Sequence, residues 1–573
     1  MLSEFLGAQL GAPDAGKRPP LHRQLYEALR RALIEGKLAA GKRLPSTRDL
    51  AQDLQVSRNT VVAAVEQLCV EGYLQSRVGS GTYASESLPR PNRLSGAKPL
   101  AQSARLSRRG EMLAHEFGAR ELEVQPFTPG PPDFSAFPAA LWQRMQNKHW
   151  RVSPPGRPKA NSAAVRSTEG GPGSPPGRPK ANSPAVRSTQ GSPVSSPEML
   201  DYSSPGGYVP LRRALANYLR VSRSVALDPE QVIITSGTQQ SLGLCAHLLA
   251  DVGDKVWIED PAYWGAVKAF LAAGLQLYGV PVDASGIAPQ AADSAHPPRL
   301  IYVTPSHQYP SGAVMSPARR QQILALAATH QAWVLEDDYD SEFRFSGAPL
   351  SSLQGLDQEQ RVFYLGSFSK VLYPGIKLGY LVVPERLVES FRSAHYDLNR
   401  PGQMPVQAAL AEFIEMGHFA SALRRARQSY ALRRQCLLDA LAPCLGHGVH
   451  ITGAEQGLHL CLSLPADCDD RALARDIARL GLTVRPLSAY CLARQDLRGL
   501  IIGYGYAPYE DIRREGPKLA RCVLQALGAR PLKQIAKPVV KRGQHQTGRA
   551  QPSAAGKVAM RQSRQQVKAT GLA

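Results

Sequence analysis

Lys370 stands at a position where a lysine could act as a nucleophile. It lies in the stretch YLGSFSKVLYPGIKLGYLV, residues 364–382, directly after an apolar, strand-like run that ends at Gly366 and Ser367. A lysine in a partly dry pocket has a lowered pKa, and its neutral amine forms a Schiff base with an aldehyde. This position therefore predicts covalent chemistry at a carbonyl group.

Polar segments also follow four other short apolar runs of the chain. The five segments are TSGTQQSL after Ile234, EDPAY after Ile258, TPSHQYPSG after Val303, EDDYDSEF after Leu335 and GSFSK after Leu365. Continuous apolar runs of this length favour a mainly parallel sheet that is covered on both faces. The carboxyl ends of the strands of such an α/β sheet form a ligand crevice. We therefore expect the five segments to meet at one site, with Lys370 in it.

The residue types at these strand ends suit one particular cofactor. The SGTQQ stretch, 236–240, comes before a predicted helix and offers backbone N–H groups and hydroxyls to a phosphate. Asp337 could pair with a protonated pyridine nitrogen, and Tyr263 could stack on a flat ring. A phosphate, an aldehyde and a pyridinium together describe pyridoxal 5'-phosphate. The EDDYD stretch alone is equally compatible with a metal site or a charged loop. Three further side chains could add contacts to the phosphate: Ser367, Ser369 and Lys377.

A second kind of site is predicted near the start of the chain. In LPSTRDLAQDLQVSRNTVVAAVEQLCVEGYL, residues 44–74, Ser46 and Ser57 can cap two short helices across a tight turn. Two such helices form a helix-turn-helix, and the following YLQSRVGSGTYA is typical of a hairpin wing around Gly79. The start of the second helix, Ser57-Arg58-Asn59-Thr60, carries side chains that pair with base edges in the major groove of DNA. A solvated helix start of purely structural role has a similar composition.

Composition divides the chain into segments. We predict a DNA-binding domain at 19–85, a linker at 86–125, an α/β body at 126–528 and a tail at 529–573. Within the body, PPGRPKANSAAVRSTEGGPGS (154–174) is repeated almost unchanged at 175–195. This duplication is rich in Pro, Gly and Ser, so we predict a disordered insertion at 153–197. The tail is basic and of low complexity, and we predict disorder there too.

Charge and cysteine content narrow the class of protein. Most of the net charge of +21 comes from the tail and the insertion, which add nonspecific attraction to phosphates. The eight cysteines are scattered without metal-binding spacing, so we predict no metal site and a reduced, cytoplasmic protein. No apolar run reaches the length of about 18 residues that a membrane-spanning helix needs.

These two parts of the chain resemble known families. Residues 19–85 resemble the winged helix-turn-helix of GntR-type regulators, and residues 126–528 resemble fold-type I, class I aminotransferases. In this order they resemble the MocR-like subfamily of transcription regulators. The resemblance implies an internal aldimine at Lys370, an Asp337 contact to the ring nitrogen, a Tyr339 contact to the ring hydroxyl and a Tyr263 stack on the ring. It places seven residues around the phosphate: Ser236, Gly237, Thr238, Gln239, Ser367, Ser369 and Lys377.

The resemblance also implies partners. It places Arg48, Arg58, Asn59, Thr60 and the Gly79 wing on a double-stranded DNA operator, and it implies a homodimer with swapped domains. Ser57, at the same helix start, completes the predicted DNA-binding set. The expected function is transcription regulation, in which a small amino compound is sensed through aldimine exchange at Lys370. The alternatives are a working aminotransferase with an attached DNA-binding domain and a body that has lost its cofactor and serves only as a dimerisation scaffold.

One departure from the aminotransferase pattern bears on this choice. Where catalytic aminotransferases usually carry Asn-Pro-x-Gly, this chain reads Tyr309-Pro310-Ser311-Gly312. The missing Asn removes a contact to the ring hydroxyl and argues against efficient transamination. For the carboxylate of an effector, Arg498 is the first choice among the arginines, and Arg485 is nearly as good.

Overall fold

The computed structural model describes residues 2–10, 19–77, 79–86, 106–114, 124–150, 199, 201–202, 204–347 and 350–528. The chain forms two compact units, Met1–Arg105 and Leu106–Ala573. The predicted insertion 153–197 and tail 529–573 lie outside the described residues, and so does most of the predicted linker 86–125. The predicted domain boundaries stay predictions.

The first unit is a small helical domain with a β-hairpin. Its elements are helices α1 (Leu2–Gln9), α2 (Leu21–Ile34), α3 (Thr47–Asp53) and α4 (Arg58–Val70), and strands β1 (Leu74–Arg77) and β2 (Gly81–Ala84). Leu25, Leu29, Leu50, Val61 and Leu68 are buried together in its core. Helix α1 begins before the predicted domain, and its Leu6 is buried in the same core.

Serine caps set the ends of the two central helices of this unit. The Ser46 hydroxyl accepts from the Asp49 N–H, and the Ser57 hydroxyl accepts from the Thr60 N–H, each at 3.2 Å. Between them, Gln55 adopts a positive φ of 51° and makes the tight turn. Strands β1 and β2 pair antiparallel around Gly79, as the hairpin prediction requires. The predicted winged helix-turn-helix fold is confirmed.

The second unit is built around a large sheet. Its strands are β3 (Val232–Thr235), β4 (Lys255–Asp260), β5 (Gln276–Asp283), β6 (Gly286–Ile287), β7 (Leu300–Val303), β8 (Trp333–Asp338), β9 (Val362–Ser367) and β10 (Gly379–Val382). Within the described residues their order is β3-β10-β9-β8-β7-β4-β5-β6. Strands β5, β4, β7, β8 and β9 run parallel, whereas β10 is antiparallel to both of its neighbours. The five apolar runs singled out in the sequence are β3, β4, β7, β8 and β9.

Helices cover the sheet on both faces. The helices of this unit are α5 (Arg108–Ala114), α6 (Ala139–Trp150), α7 (Val209–Arg223), α8 (Thr238–Leu249), α9 (Trp264–Ala273), α10 (Pro317–Thr329), α11 (Leu353–Leu356), α12 (Val388–Asn399), α13 (Met404–Glu415), α14 (His418–Leu441), α15 (Asp470–Arg479) and α16 (Tyr509–Ala526). Neighbouring residues of β9 are buried in different apolar clusters, for example Tyr364 in one and Leu365 in another. This two-sided burial explains why the strands read as continuous apolar runs.

A smaller antiparallel sheet follows the large one in the chain. It contains β11 (His450–Thr452), β12 (His459–Ser463), β13 (Arg485–Pro486) and β14 (Gly499–Gly503), in the order β11-β12-β14-β13. The predicted α/β architecture with a mainly parallel sheet is confirmed. None of the helices in the described ranges is long and apolar enough to cross a membrane.

Candidate cofactor site and DNA-reading helix

One cavity of about 440 Å³ opens at the carboxyl ends of the parallel strands. It gathers every residue that the sequence predicted for the cofactor, and all five polar segments contribute to its lining. The predicted residues that line it are Ser236, Gly237, Thr238, Gln239, Tyr263, Asp337, Tyr339, Ser367, Ser369, Lys370 and Lys377. The strand ends converge because parallel strands in one sheet present their carboxyl ends at the same edge.

Lys370 lies just beyond β9, and its amine faces the cavity. The Nζ atom donates to the carbonyl oxygen of Gly130 at 2.8 Å. Burial lowers the pKa of this amine, against the opposing effect of the Asp340 and Asp337 carboxylates. Gly130 has a φ of +109°, and a Cβ at that position would lie 3.3 Å from Nζ. The backbone therefore approaches the lysine closely and helps to hold its amine in the cavity.

The alternation of side chains along β8 separates the acidic residues of EDDYD. Glu336 accepts from the backbone N–H groups of Leu353 and Gln354, and Asp338 accepts from Arg223 Nε at 2.7 Å. Asp337 points to the other face of the sheet and lines the cavity. The strand period of two thus gives Asp337 a role different from that of its neighbours. The interpretation of EDDYD as one charged loop does not hold for Glu336 to Asp338, which lie in the strand.

Asp337 is an unusual carboxylate because it is 3% exposed and only one of its two oxygens has a hydrogen-bond partner among the described residues. Its Oδ2 accepts from the Tyr302 hydroxyl at 2.8 Å, whereas Oδ1 has no hydrogen-bond partner among the described residues. Burial raises the pKa of Asp337 to about 7, and the bond from Tyr302 opposes that shift. A buried carboxylate with a free oxygen favours a cationic N–H partner in the cavity.

The opposite part of the cavity wall suits an anion. Helix α8 begins at Thr238, directly after Gly237. The first backbone N–H groups of a helix have no partner within the helix, so those of Thr238 and Gln239 are available to an anion at the cavity wall. Hydroxyls of Ser236, Ser367 and Ser369 and the amine of Lys377 line the same cavity. A helix start, hydroxyls and a lysine are the groups that bind phosphate in proteins.

Replacing Gly237 with alanine is expected to weaken cofactor binding about tenfold. Gly237 has a φ of +116°, which costs a residue with a Cβ about 1–3 kcal/mol, and relief of that strain would move the N–H groups before α8. The measurement is a titration of the cofactor-free protein with pyridoxal 5'-phosphate, followed by absorption. Gly253→Ala is the matched control, because Gly253 has a φ of +94° and, like Gly237, open space where a Cβ would stand. Equal affinities of the two variants would contradict the assignment of 236–239 to the phosphate.

A buried cluster next to Tyr339 was not found from the sequence. The His307 Nδ1 lies 2.9 Å from Asp340 Oδ2 and 3.2 Å from the Tyr339 hydroxyl, and the His307 and His459 rings are 4.8 Å apart. The three residues His307, Asp340 and His459 offer atoms within 4.8 Å of one another, a grouping that could hold a metal ion. These residues come from three separate segments of the chain and meet only in the folded structure, so no spacing motif in the sequence indicates them.

Tyr309, which stands where aminotransferases carry Asn, is packed among aromatic rings at the cavity wall. Its ring centroid lies 5.7 Å from that of Tyr263 and 6.0 Å from that of Tyr339, and its hydroxyl lies 3.3 Å from the Tyr490 hydroxyl. Burial raises its pKa well above the usual value, so the hydroxyl is neutral. Tyr309 therefore supplies a neutral aromatic surface where the pattern calls for an amide.

Neither predicted carboxylate-binding arginine lines this cavity. Arg498 precedes β14, where its Nη1 donates to the carbonyl oxygens of Gln495 and Leu497, each at 2.8 Å, and it lines a separate cavity beside Arg471. Arg485, in β13, acts electrostatically on the Tyr309 hydroxyl but is not among the lining residues. The structure thus places Arg498 at a separate cavity, away from the residues predicted to bind the cofactor.

In the first unit, four of the predicted DNA-contacting residues, Ser57 to Thr60, lie at the start of α4. Arg58, Asn59 and Thr60 form the first turn of α4, and the Ser57 and Thr60 hydroxyls bond to each other at 2.8 Å. Arg48, Arg58, Asn59 and Gly79 are exposed. Ser57 and Thr60 are thus engaged in capping, while Arg58 and Asn59 are presented to solvent at the end of α4 that a recognition helix uses.

Comparison with known proteins gives the class of each part. Residues 21–84 match the family described as bacterial regulatory proteins, gntR family, and residues 178–499 match aminotransferase class I and II. The chain is 36% identical over 519 residues to the probable rhizopine catabolism regulatory protein MocR of Rhizobium meliloti, with 90% of this chain and 96% of that protein covered. The chain belongs to the MocR-type, GntR-family transcription regulators, in which a DNA-binding domain precedes an aminotransferase domain.

Two further comparisons agree with this assignment. The chain is 29% identical over 494 residues to the pyridoxine biosynthesis transcriptional regulator PdxR of Corynebacterium glutamicum, covering 86% of this chain and 93% of that protein. The solved structure of LysN, an α-aminoadipate aminotransferase from Thermus thermophilus, matches with a TM-score of 0.58 and 25% identity. That match covers 71% of this chain and 93% of LysN, which was complexed with N-(5'-phosphopyridoxyl)-L-leucine.

The cavity residues fit the pyridoxal phosphate that the aminotransferase fold implies. The unpartnered Oδ1 of Asp337 is a ready acceptor for a pyridinium N–H, and the start of α8 is a ready phosphate site. The lowered pKa of Lys370 favours the neutral amine that reacts with an aldehyde. Each chemical group of the cofactor thus has a counterpart among residues that line the one cavity.

Proposed function

We propose that this regulator binds pyridoxal 5'-phosphate in the Lys370 cavity and uses it to sense an amino compound that changes DNA binding. The observation that carries the proposal is that residues from five strand ends line a single cavity with the lysine, the carboxylate and the anion-binding helix start in place. The membership of the chain in a family of transcription regulators supports the coupling to DNA.

The cavity residues divide the work of binding and sensing. When bound, pyridoxal phosphate supplies an aldehyde that reacts reversibly with primary amines. Lys370 would hold it through an amine whose lowered pKa favours the unprotonated form, Asp337 would pair with the ring nitrogen, and Tyr339 would hydrogen-bond the ring hydroxyl. An effector amine that replaces the Lys370 amine frees the lysine side chain. It changes DNA binding only as far as it binds two states of the protein with different affinity.

The test of this coupling is DNA binding with and without primary amines. A DNA site would first be selected from a random library with the full chain carrying its cofactor. A saturable change in affinity or footprint that an amine produces in the natural protein, and not in Lys370→Ala, would support the proposal. If the wild-type protein and Lys370→Ala respond alike to amines, the sensing role of the cavity is refuted.

Replacing Arg58 with alanine is expected to weaken binding to the selected site at least about fivefold, because an Arg at a recognition-helix start contributes about 1–3 kcal/mol through a base edge. The measurement is a binding titration at several salt concentrations, with the selected site and a scrambled one. Arg23→Ala is the control, since Arg23 is an exposed arginine of α2 that pairs with Glu27 at 3.6 Å. An equal loss in both variants would indicate a general charge effect instead of base recognition.

Transamination is the second candidate function, and the presence of Lys370, Asp337 and Tyr339 in one cavity favours it. The neutral aromatic surface of Tyr309 in place of Asn argues against efficient turnover. Repeated formation of an oxo acid from an amino donor, at ordinary enzymatic rates of about 1–1000 per second, would support this candidate. We also propose that the protein is a homodimer with swapped domains and that it binds a double-stranded DNA operator.

A further inference from the structure

The wall of the cavity around Asp340 indicates which amines the protein senses. We propose that the effector is a primary amine without a carboxylate, and that it carries a second hydrogen-bond donor, a hydroxyl or an ammonium, which Asp340 accepts. This inference rests on the proposed function of the cavity, since it names the class of effector for the same site.

The described wall of the cavity contains few cationic side chains. The described residues that line the cavity include no arginine, and their lysines are Lys370 and Lys377. Lys370 holds the cofactor, and its free amine donates to the Gly130 carbonyl at 2.8 Å. Lys377 belongs to the group assigned to the phosphate of the cofactor. Arg498 and Arg485 lie outside the lining, as described above. A carboxylate taken out of water without a cationic partner costs several kcal/mol, so this wall disfavours an effector that carries one.

Asp340 lines the cavity and is 1% exposed. Its Oδ2 lies 2.9 Å from His307 Nδ1, whereas its Oδ1 is buried and has no hydrogen-bond partner among the described residues. A buried carboxylate oxygen without a donor is unfavourable, and a ligand that supplies the donor gains the difference. Asp340 therefore provides a ready acceptor at the wall of the cavity.

Lys370 does not supply the hydrogen-bond donor that Asp340 lacks. Asp340 has the largest favourable electrostatic effect on the protonated amine of Lys370 among its neighbours. Lys370 Nζ nevertheless donates to the Gly130 carbonyl and leaves Asp340 Oδ1 without a partner among the described residues, so this oxygen needs another donor. A hydroxyl or ammonium of the effector supplies that donor, while an effector carboxylate would meet a like charge.

The remaining described residues of the wall near Asp340 include no further lysine or arginine. His459 lines the cavity, is 2% exposed, and lies 3.2 Å from the Pro310 carbonyl through Nε2. Pro129 and Leu458 complete an apolar surface for the carbon skeleton of the effector.

The experiment compares four amines that differ only at the far end of a four-carbon chain. They are 4-aminobutan-1-ol, 1,4-diaminobutane, 4-aminobutanoate and butylamine. Each is titrated into the full chain loaded with pyridoxal phosphate, and half-saturation is read from the visible absorption and, separately, from the shift in melting temperature. The same series is run on Asp340→Asn and on Asp283→Asn, a control outside the cavity whose carboxylate pairs with Arg319 at 2.9 Å.

We expect the hydroxyl or the ammonium compound to reach half-saturation at a concentration at least ten times lower than 4-aminobutanoate and at least three times lower than butylamine. Asp340→Asn should reduce the advantage over butylamine at least threefold, and Asp283→Asn should keep it. The comparison among amines uses the unmodified protein, so it stands even if Asp340→Asn folds poorly.

Three other results would each count against a specific statement. Equal or tighter binding of 4-aminobutanoate, or no discrimination among the four amines, would overturn the effector class and imply that a cation from outside the described residues reaches the cavity. A preference for the hydroxyl or ammonium that survives Asp340→Asn would overturn the role of Asp340. No response to any amine, in a protein that shows the cofactor band, would refute the proposed function itself and this inference with it.

Discussion

Replacing Lys370 with alanine is expected to abolish the visible absorption band of the protein loaded with pyridoxal phosphate. Lys370 is the one lysine in GSFSK, and its Nζ faces the cavity, 2.8 Å from the Gly130 carbonyl. Its lowered pKa makes it the amine best suited to hold an aldehyde there. The measurement is the absorption spectrum before and after borohydride reduction, followed by mass spectrometry of the peptide that contains residue 370.

The matched control for this prediction is Lys268→Ala. Lys268 also donates from Nζ to a backbone carbonyl, that of Leu113 at 3.0 Å, but it lies on α9 outside the cavity lining. This variant should keep both the band and the reduced adduct. An adduct that persists in Lys370→Ala would place the covalent link on another amine, and absence of any band in the natural protein would leave the aminotransferase-like body as a scaffold without cofactor.

Replacing Asp337 with asparagine is expected to weaken the affinity for pyridoxal phosphate at least about 100-fold. Removing one member of a buried ion pair costs about 3–5 kcal/mol, since the other charge is left without a partner. Here the charge left without a partner would be the pyridinium, because Asp337 has a free oxygen in the cavity. The measurement is an equilibrium titration of the cofactor-free protein. Asp293→Asn is the control, because Asp293 is also buried and accepts from a tyrosine, the Tyr278 hydroxyl at 2.9 Å.

Asp337→Asn should stabilise the cofactor-free protein, although it weakens cofactor binding. Folding raises the pKa of Asp337 from its usual 3.8 to about 7, so the folded state binds this proton more tightly than the unfolded state does. Ionisation of Asp337 therefore costs stability, and that cost grows as the pH rises from about 4 to about 7. Cofactor-free Asp337→Asn should melt at a higher temperature than the natural protein at pH 8, and the difference should disappear near pH 4. A lower melting temperature at pH 8 would contradict this account.

Together the two variants separate the covalent role from the electrostatic role in the cavity. Lys370→Ala removes the reactive amine and leaves the anion site at the start of α8 intact. Asp337→Asn keeps the amine and removes the partner of the ring nitrogen. Stability gained on losing Asp337 would mark it as a residue retained for binding at the expense of the fold, as is common at functional sites.

Much of the site could be predicted from the sequence because its residues follow strands. An apolar run followed by a polar segment is a local pattern, and a parallel sheet brings all such strand ends to one edge. This rule alone placed Tyr263, Asp337 and Lys370 together. The capping serines Ser46 and Ser57 were predictable for a similar reason, since a cap depends on residues three positions apart.

Other features depended on contacts between distant segments. The cluster of His307, Asp340 and His459 joins the loop after β7, the loop after β8 and strand β12, and no spacing in the chain links them. The choice among the acidic residues of EDDYD followed from which face of β8 each one occupies. Arg498 lines a separate cavity, a placement that the sequence does not indicate because a basic residue before a strand can turn toward either face.

We could predict the two kinds of domain, their order, the strands of the sheet and the lysine at the end of β9 from the sequence, because apolar period, caps and strand ends are local properties of the chain. The presence of Asp340 at the cavity wall, and the lack of an arginine among the described lining residues, became visible in the folded chain. The physical reason is that burial and charge in a cavity depend on which distant side chains pack together. The class of protein was therefore readable from local pattern, whereas the class of effector was not.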